Sequence, residues 1–136
     1  MLLAQDQKIK IKSKVENTIV VEKLIEDICD QMDLSRDYFG NLMVTVSEAV
    51  INSIQHGNKN NPDKEVIIEF TANDNYLSFT IQDEGKGFDF NCLPDPTLAE
   101  NIEKLNGRGI FLMRQLADHV QFNESGNSVE IRFNLK

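Results

Sequence analysis

Glu48 and Asn52 stand four residues apart in a stretch with helical periodicity, so one turn of helix brings a carboxylate beside a neutral amide. An amide oxygen is a reasonable lone protein ligand for Mg²⁺, which prefers to keep waters and takes its other oxygens from phosphates. A carboxylate one turn away can orient or deprotonate an attacking hydroxyl. Further on, Asp83-Glu84-Gly85-Lys86-Gly87 ends a strand-like run. A carboxylate at a strand end accepts from an exocyclic amine, which at that atom selects adenine over guanine. Gly85 and Gly87 are expected to bring the backbone close to a flat base and to turn through positive φ. Gly107-Arg108-Gly109 precedes a third helical stretch. Its glycines are expected at a helix N-terminus, where free amides and the dipole favour phosphate oxygens, with Arg108 within reach of phosphate. The Walker ending and the Rossmann spacing are both absent. Each signal is weak alone, but their order describes a nucleotide pocket made by one helix and two glycine-rich turns.

These residues need a scaffold, and the apolar pattern outlines one. Alternation over 8–15 predicts a strand at a sheet edge, where lysines discourage pairing with other chains. Val20, Val21, Leu24, Ile25 and Ile28 predict a helix over 17–32, ending near Asp33-Leu34-Ser35. A second helix is expected over 36–56, with Phe39, Leu42, Val46, Val50 and Ile54 on one stripe and Gly57-Asn58 stopping it. Opposite that stripe lie Asn41, Thr45, Glu48, Asn52, Gln55 and His56. That face is polar but barely charged, so it should line a cavity rather than bulk solvent. Strands over 65–72 and 76–83 form a hairpin about Asn73-Asp74-Asn75. The polar segment 88–106 holds Pro94, Pro96 and a capping-box pair, Thr97 and Glu100. A helix over 110–117 and strands over 119–123 and 128–135 complete the pattern.

The 136 residues suffice for one domain with a real core. Fourteen Lys and Arg against 22 Asp and Glu give a net charge of −8, which argues against nucleic acid as the main partner. Met1-Leu2-Leu3-Ala4 is too short an apolar run for a signal peptide, and no stretch is long enough to span a bilayer. Cys29 and Cys92 lack paired spacing and suit free thiols in a reducing cytoplasm.

The segments Ser47-Glu48-Ala49-Val50-Ile51-Asn52-Ser53-Ile54-Gln55-His56-Gly57, Asp83-Glu84-Gly85-Lys86-Gly87-Phe88-Asp89 and Gly107-Arg108-Gly109-Ile110-Phe111-Leu112-Met113 resemble the three nucleotide-binding boxes of the GHKL (Bergerat-fold) ATPase superfamily. Within it, nearly the whole chain is similar to the stand-alone anti-sigma-factor serine kinases of bacteria. The resemblance implies an α/β sandwich, with helices on one face of a mixed, mostly antiparallel sheet and ATP under a lid at 88–106. It makes Glu48 the base for a serine hydroxyl and Asn52 the Mg²⁺ ligand. Asp83 becomes the adenine contact, Gly85 and Gly87 its wall, and Gly107, Arg108 and Gly109 the phosphate cradle. It further implies a cytoplasmic homodimer that switches between a sigma factor and an anti-anti-sigma (STAS-type) protein, phosphorylating a serine of the latter. Where relatives carry a threonine in the last strand beside the aspartate, this chain offers Ser128, Val129 or Glu130, and the lid's basic residue would be Lys104 or Arg108. Two rivals belong to other classes: a nucleotide-binding regulatory module without phosphotransfer, and a detached histidine kinase catalytic domain. For the latter, His56 and His119 lack the expected helical context.

Overall fold

The computed structural model describes residues 5–85, 105–123 and 125–135. The expected lid helix with Thr97 and Glu100, as well as Gly87, Cys92 and Lys104, lies outside the described residues. The chain runs β1 (Gln5–Lys12), a 3₁₀ turn (Val15–Asn17), α1 (Thr18–Met32), α2 (Arg36–Asn52), a π turn (Ser53–Gly57), β2 (Glu65–Ala72), β3 (Tyr76–Gln82), α3 (Leu105–Leu116), β4 (His119–Phe122) and β5 (Ser128–Asn134). The strands form one sheet in the order β1-β2-β3-β5-β4, and all four described pairings are antiparallel. The expected α/β sandwich is therefore present.

Period-two alternation sends Val66, Ile68 and Phe70 of β2, Leu77, Phe79 and Ile81 of β3, and Val129, Ile131 and Phe133 of β5 into the core. Register aligns Phe70 with Phe79, and Phe79 with Ile131. The two phenyl rings meet at 5.0 Å between centroids, tilted by 36°. Against this face α1 places Val21, Ile25 and Ile28, α2 places Leu42, Val46 and Val50, the π turn places Ile54, and α3 places Ile110 and Met113. The α2 stripe expected from the sequence is buried, apart from Phe39, which packs on the core's margin. α2 packs against both α1 and α3 and so carries its polar residues to the α2–α3 seam.

Three local differences from the expected elements have physical causes. The first strand ends at Lys12 rather than residue 15, because the next residue turns away: Ser13 donates both its N–H and its hydroxyl to the Lys64 carbonyl, at 3.1 and 2.8 Å. Lys8, Lys10 and Lys12 remain exposed on an edge strand, as expected. The second helix keeps its extent but changes winding at Ser53, where the Asn58 N–H reaches five residues back to the Ser53 carbonyl at 2.8 Å. π turns of this kind concentrate at functional sites. The third helix is described from Leu105 rather than residue 110, so Gly107 and Gly109 lie inside its first turns instead of preceding it.

Asn58 ties these pieces together although it is 1% exposed. Its amide N–H groups donate to Ser13 Oγ at 2.8 Å and the Glu65 carbonyl at 3.0 Å, while its oxygen accepts the Glu84 N–H at 2.8 Å. One side chain thereby joins the end of β1, the start of β2 and the turn after β3. Buried polar groups are stable only when satisfied in this way.

Candidate functional site

Past the C-terminal ends of α2 and β3 lies an open cavity of about 60 Å³. Ala49, Ile81, Ile110, Met113, Phe122 and Val129 make its apolar walls, and Asn52, Ser53, His56, Asp83, Asn127 and Ser128 supply polar atoms. An open slot with apolar walls and a few convergent polar groups suits a flat heteroaromatic ligand.

Asp83 is the best-defined member. It is 9% exposed and leaves the sheet where its own N–H still bonds the Asn127 carbonyl at 2.9 Å. Its Oδ1 accepts the Gly85 N–H at 2.7 Å, and the Ser53 hydroxyl donates to the same carboxylate. Burial pushes the carboxyl above the ordinary carboxylate range, while the Gly85 N–H, the Ser53 hydroxyl and the Lys64 charge hold it down. A proton is therefore bound more tightly in the native state than in the unfolded chain. Asp83's contribution to stability should fall as pH rises through the window from the ordinary carboxylate value to the raised one. Asp83→Asn should flatten that part of the curve of melting temperature against pH and be no less stable than the parent at neutral pH. A variant that melts lower at neutral pH would show the carboxylate stabilising the fold instead.

Two glycines make this position possible by leaving space. A methyl group at Gly57 would stand 2.2 Å from Asp83 Oδ2, and one at Gly85 would stand 2.2 Å from the Gly57 carbonyl oxygen. The sequence-based expectation of positive φ at Gly85 does not hold: among the described glycines only Gly126, at φ 80°, takes that conformation. Gly85 is needed because the Asp83–Gly85 turn crosses the π turn at backbone contact.

Glu48 and Asn52 meet α3 at its first turns. A methyl group at Gly109 would approach Glu48 Oε2 to 2.8 Å and Asn52 Nδ2 to 3.2 Å, so α3 settles directly over the tips of this pair. Among the described residues Asn52 Nδ2 is buried without a hydrogen-bond partner, although Asn52 lines the cavity. An orphaned amide costs about 1–3 kcal/mol unless something fills it. By a half-turn about its last torsion the same amide presents N–H to a phosphate oxygen or its carbonyl oxygen to a cation. The residues present therefore fit a magnesium nucleotide.

With this geometry, residues 11–133 match the family described as the histidine kinase-like ATPase domain. The chain belongs to that family. It is 30% identical over 120 residues to the serine-protein kinase RsbW of Oceanobacillus iheyensis, a match covering 84% of this chain and 76% of that protein. It is likewise 30% identical over 127 residues to the serine-protein kinase RsbW of Bacillus subtilis, covering 88% and 79%. The RsbW of Bacillus cereus is 29% identical over 118 residues, covering 82% and 73%.

In this histidine kinase-like ATPase domain the sequence-derived residues are brought together only in part. Asn52 and Asp83 line one cavity, with Gly85 behind Asp83 and Glu48 and Gly109 beside Asn52. Gly107 and Arg108 are described only as α3 backbone, and Gly87 lies outside the described residues. The polar face of α2 reaches the cavity later than expected. Asn52 and His56 line it, whereas Thr45 is fully buried and returns its hydroxyl to the Asn41 carbonyl at 2.8 Å. Of the last-strand candidates, Ser128 and Val129 line the cavity. Glu130 points to the other side of the sheet, where Ser78 donates to it at 2.9 Å. Sequence reasoning missed Ser53, Gly57 as a contact of Asp83, Asn58 as a clamp, and Asn127. For Gly57 and Asn58 the signal was present in His56-Gly57-Asn58, which reads as a helix stop and whose His56 and Gly57 also line the cavity. Among the described residues no helix is long and apolar enough to cross a membrane.

Proposed function

We propose that this chain is an ATP-dependent protein-serine kinase that acts as an anti-sigma factor in a partner-switching system. It alternates between holding a sigma factor and phosphorylating a serine of an anti-anti-sigma (STAS-type) protein. The observation that carries this is the orphaned amide of Asn52, one helical turn from the Glu48 carboxylate and in the cavity that Asp83 also lines. The names of the relatives, serine-protein kinases, point the same way.

Asp83 accepts the exocyclic amine of adenine, and Gly85 with Gly87 forms the wall beside it. Asn52 offers its amide oxygen to Mg²⁺, which neutralises phosphate charge. Gly107, Arg108 and Gly109 hold the phosphates. Glu48 orients the substrate serine and takes its proton as the hydroxyl oxygen attacks the terminal phosphorus. The bond from that phosphorus to the bridging oxygen breaks and ADP departs. Phosphoryl transfer asks mostly for positioning and charge neutralisation, so a site this small suffices. The working unit is one domain over residues 1–136, cytoplasmic and homodimeric.

Asn52→Ala tests the metal ligand. Affinity for ATP in magnesium buffer should fall by roughly 100-fold or more, the loss of a charge-bearing contact. The melting temperature should hold or rise, because the variant removes an unsatisfied buried group. Unchanged ATP affinity would remove Asn52 from the site.

A further inference from the structure

The turn between β4 and β5 carries more hydrogen bonds than a hairpin end requires, and they converge on one side chain in the cavity. Asn123 Oδ1 accepts the backbone N–H groups of Gly126, Asn127 and Ser128 at 2.8, 3.1 and 3.3 Å. Its own Nδ2 donates to Asn127 Oδ1 at 2.7 Å. Asn127 Nδ2 donates in turn to the Gly85 carbonyl at 3.2 Å, in the turn that holds Asp83. The orientation of the Asn127 amide is thereby fixed from both ends: its oxygen must face the Asn123 donor and its nitrogen the Gly85 acceptor. Each amide nitrogen carries two hydrogens, and among the described residues the second N–H of Asn127 has no partner. Asn127 lines the same cavity as Asp83, and its carbonyl bonds the Asp83 N–H.

We infer that Asn127 is a second base-reading residue, presenting an N–H donor beside the acceptor carboxylate of Asp83, and that Asn123 is the positioning residue that sets which way its amide points. Asp83 and Asn127 together match a purine edge with an amine donor next to a ring-nitrogen acceptor, the pattern of adenine. Guanine offers the reverse, an oxygen acceptor next to a ring N–H, and meets like against like at both places. Asn127's role presupposes the nucleotide site proposed above.

The test measures equilibrium affinity of the full chain for ATP and for the purine nucleoside triphosphate that lacks the 6-amino group but keeps the ring nitrogen. Asn127→Ala should weaken both ligands by the same factor, about 3- to 10-fold for one neutral hydrogen bond. Asp83→Asn should weaken ATP alone. Asn123→Asp keeps the oxygen that caps the three backbone N–H groups but loses the donor to Asn127 and sets an acceptor against its oxygen, so the amide is no longer held in place from that end. It should lose as much affinity for both nucleotides as Asn127→Ala while its melting temperature stays near the parent's. That pairing separates base reading from a merely structural turn. Affinities within twofold of the parent in both Asn127→Ala and Asn123→Asp would overturn the assignment, as would a loss confined to ATP, which would mean that Asn127 acts only through Asp83. A parent that binds neither nucleotide would instead refute the nucleotide site itself, and the base reading with it.

Discussion

Glu48→Gln is expected to bind ATP about as tightly as the parent and to transfer phosphate roughly 10²–10⁴ times more slowly, the span usual for loss of a general base. Glutamine keeps the length and planarity of the side chain beside Gly109, where a methyl group would already be 2.8 Å from Glu48 Oε2, so α3 keeps its place. The substitution removes only the ability to take a proton. Single-turnover transfer measured alongside nucleotide affinity separates the two effects, since an interaction made only in the transition state lowers the rate without touching ground-state binding. A variant that transfers at the parental rate would place the base elsewhere or show that none is needed.

Gly85→Ala should have the largest effect on the fold. Its new methyl group would stand 2.2 Å from the Gly57 carbonyl oxygen and 2.8 Å from the carbonyl carbon. Both belong to backbone held by the π turn, which cannot swing aside as a side-chain tip can. Overpacking of this kind typically costs about 1–3 kcal/mol, and the relief available here is to part the Asp83–Gly85 turn from α2. Parting them breaks the bonds from the Ser53 hydroxyl to Asp83 and from the Glu84 N–H to Asn58, so ATP binding should be lost together with stability. Chemical denaturation and nucleotide titration on the same preparation check both. Parental stability would show that the two turns are not locked together.

Much of the scaffold was legible in the sequence because its signals are local. The α2 stripe from Leu42 to Ile54, the β2–β3 hairpin about Asn73 and the lysine-guarded edge strand each follow from periodicity or turn chemistry within a few residues. Pairing Glu48 with Asn52 was legible for the same reason: one turn of helix decides it. What the sequence did not disclose depends on contacts between distant segments. Gly85 looks like a residue chosen for positive φ, and its real constraint is the carbonyl of Gly57, 28 positions away in the chain. Asn58 looks like a helix terminator, and its burial among Ser13, Glu65 and Glu84 exists only after β1, β2 and β3 have assembled. Asn127 sits in a turn that any polar residue fits by local rules, so its bond to Gly85 left no mark in the pattern. The third helix starts earlier than its apolar repeat because Leu105 and Asn106 continue the winding of a segment whose glycines argued for a loop.

The most direct test of a serine kinase built on Glu48 is incubation of the purified protein with labelled ATP, magnesium and the STAS-type proteins of its own source, followed by mapping of the labelled residue in parent and Glu48→Gln reactions. Phosphoserine on one such protein, absent with Glu48→Gln, is the predicted result. Tight ATP binding with no label on any of them, or label on a histidine of the chain itself, would contradict it.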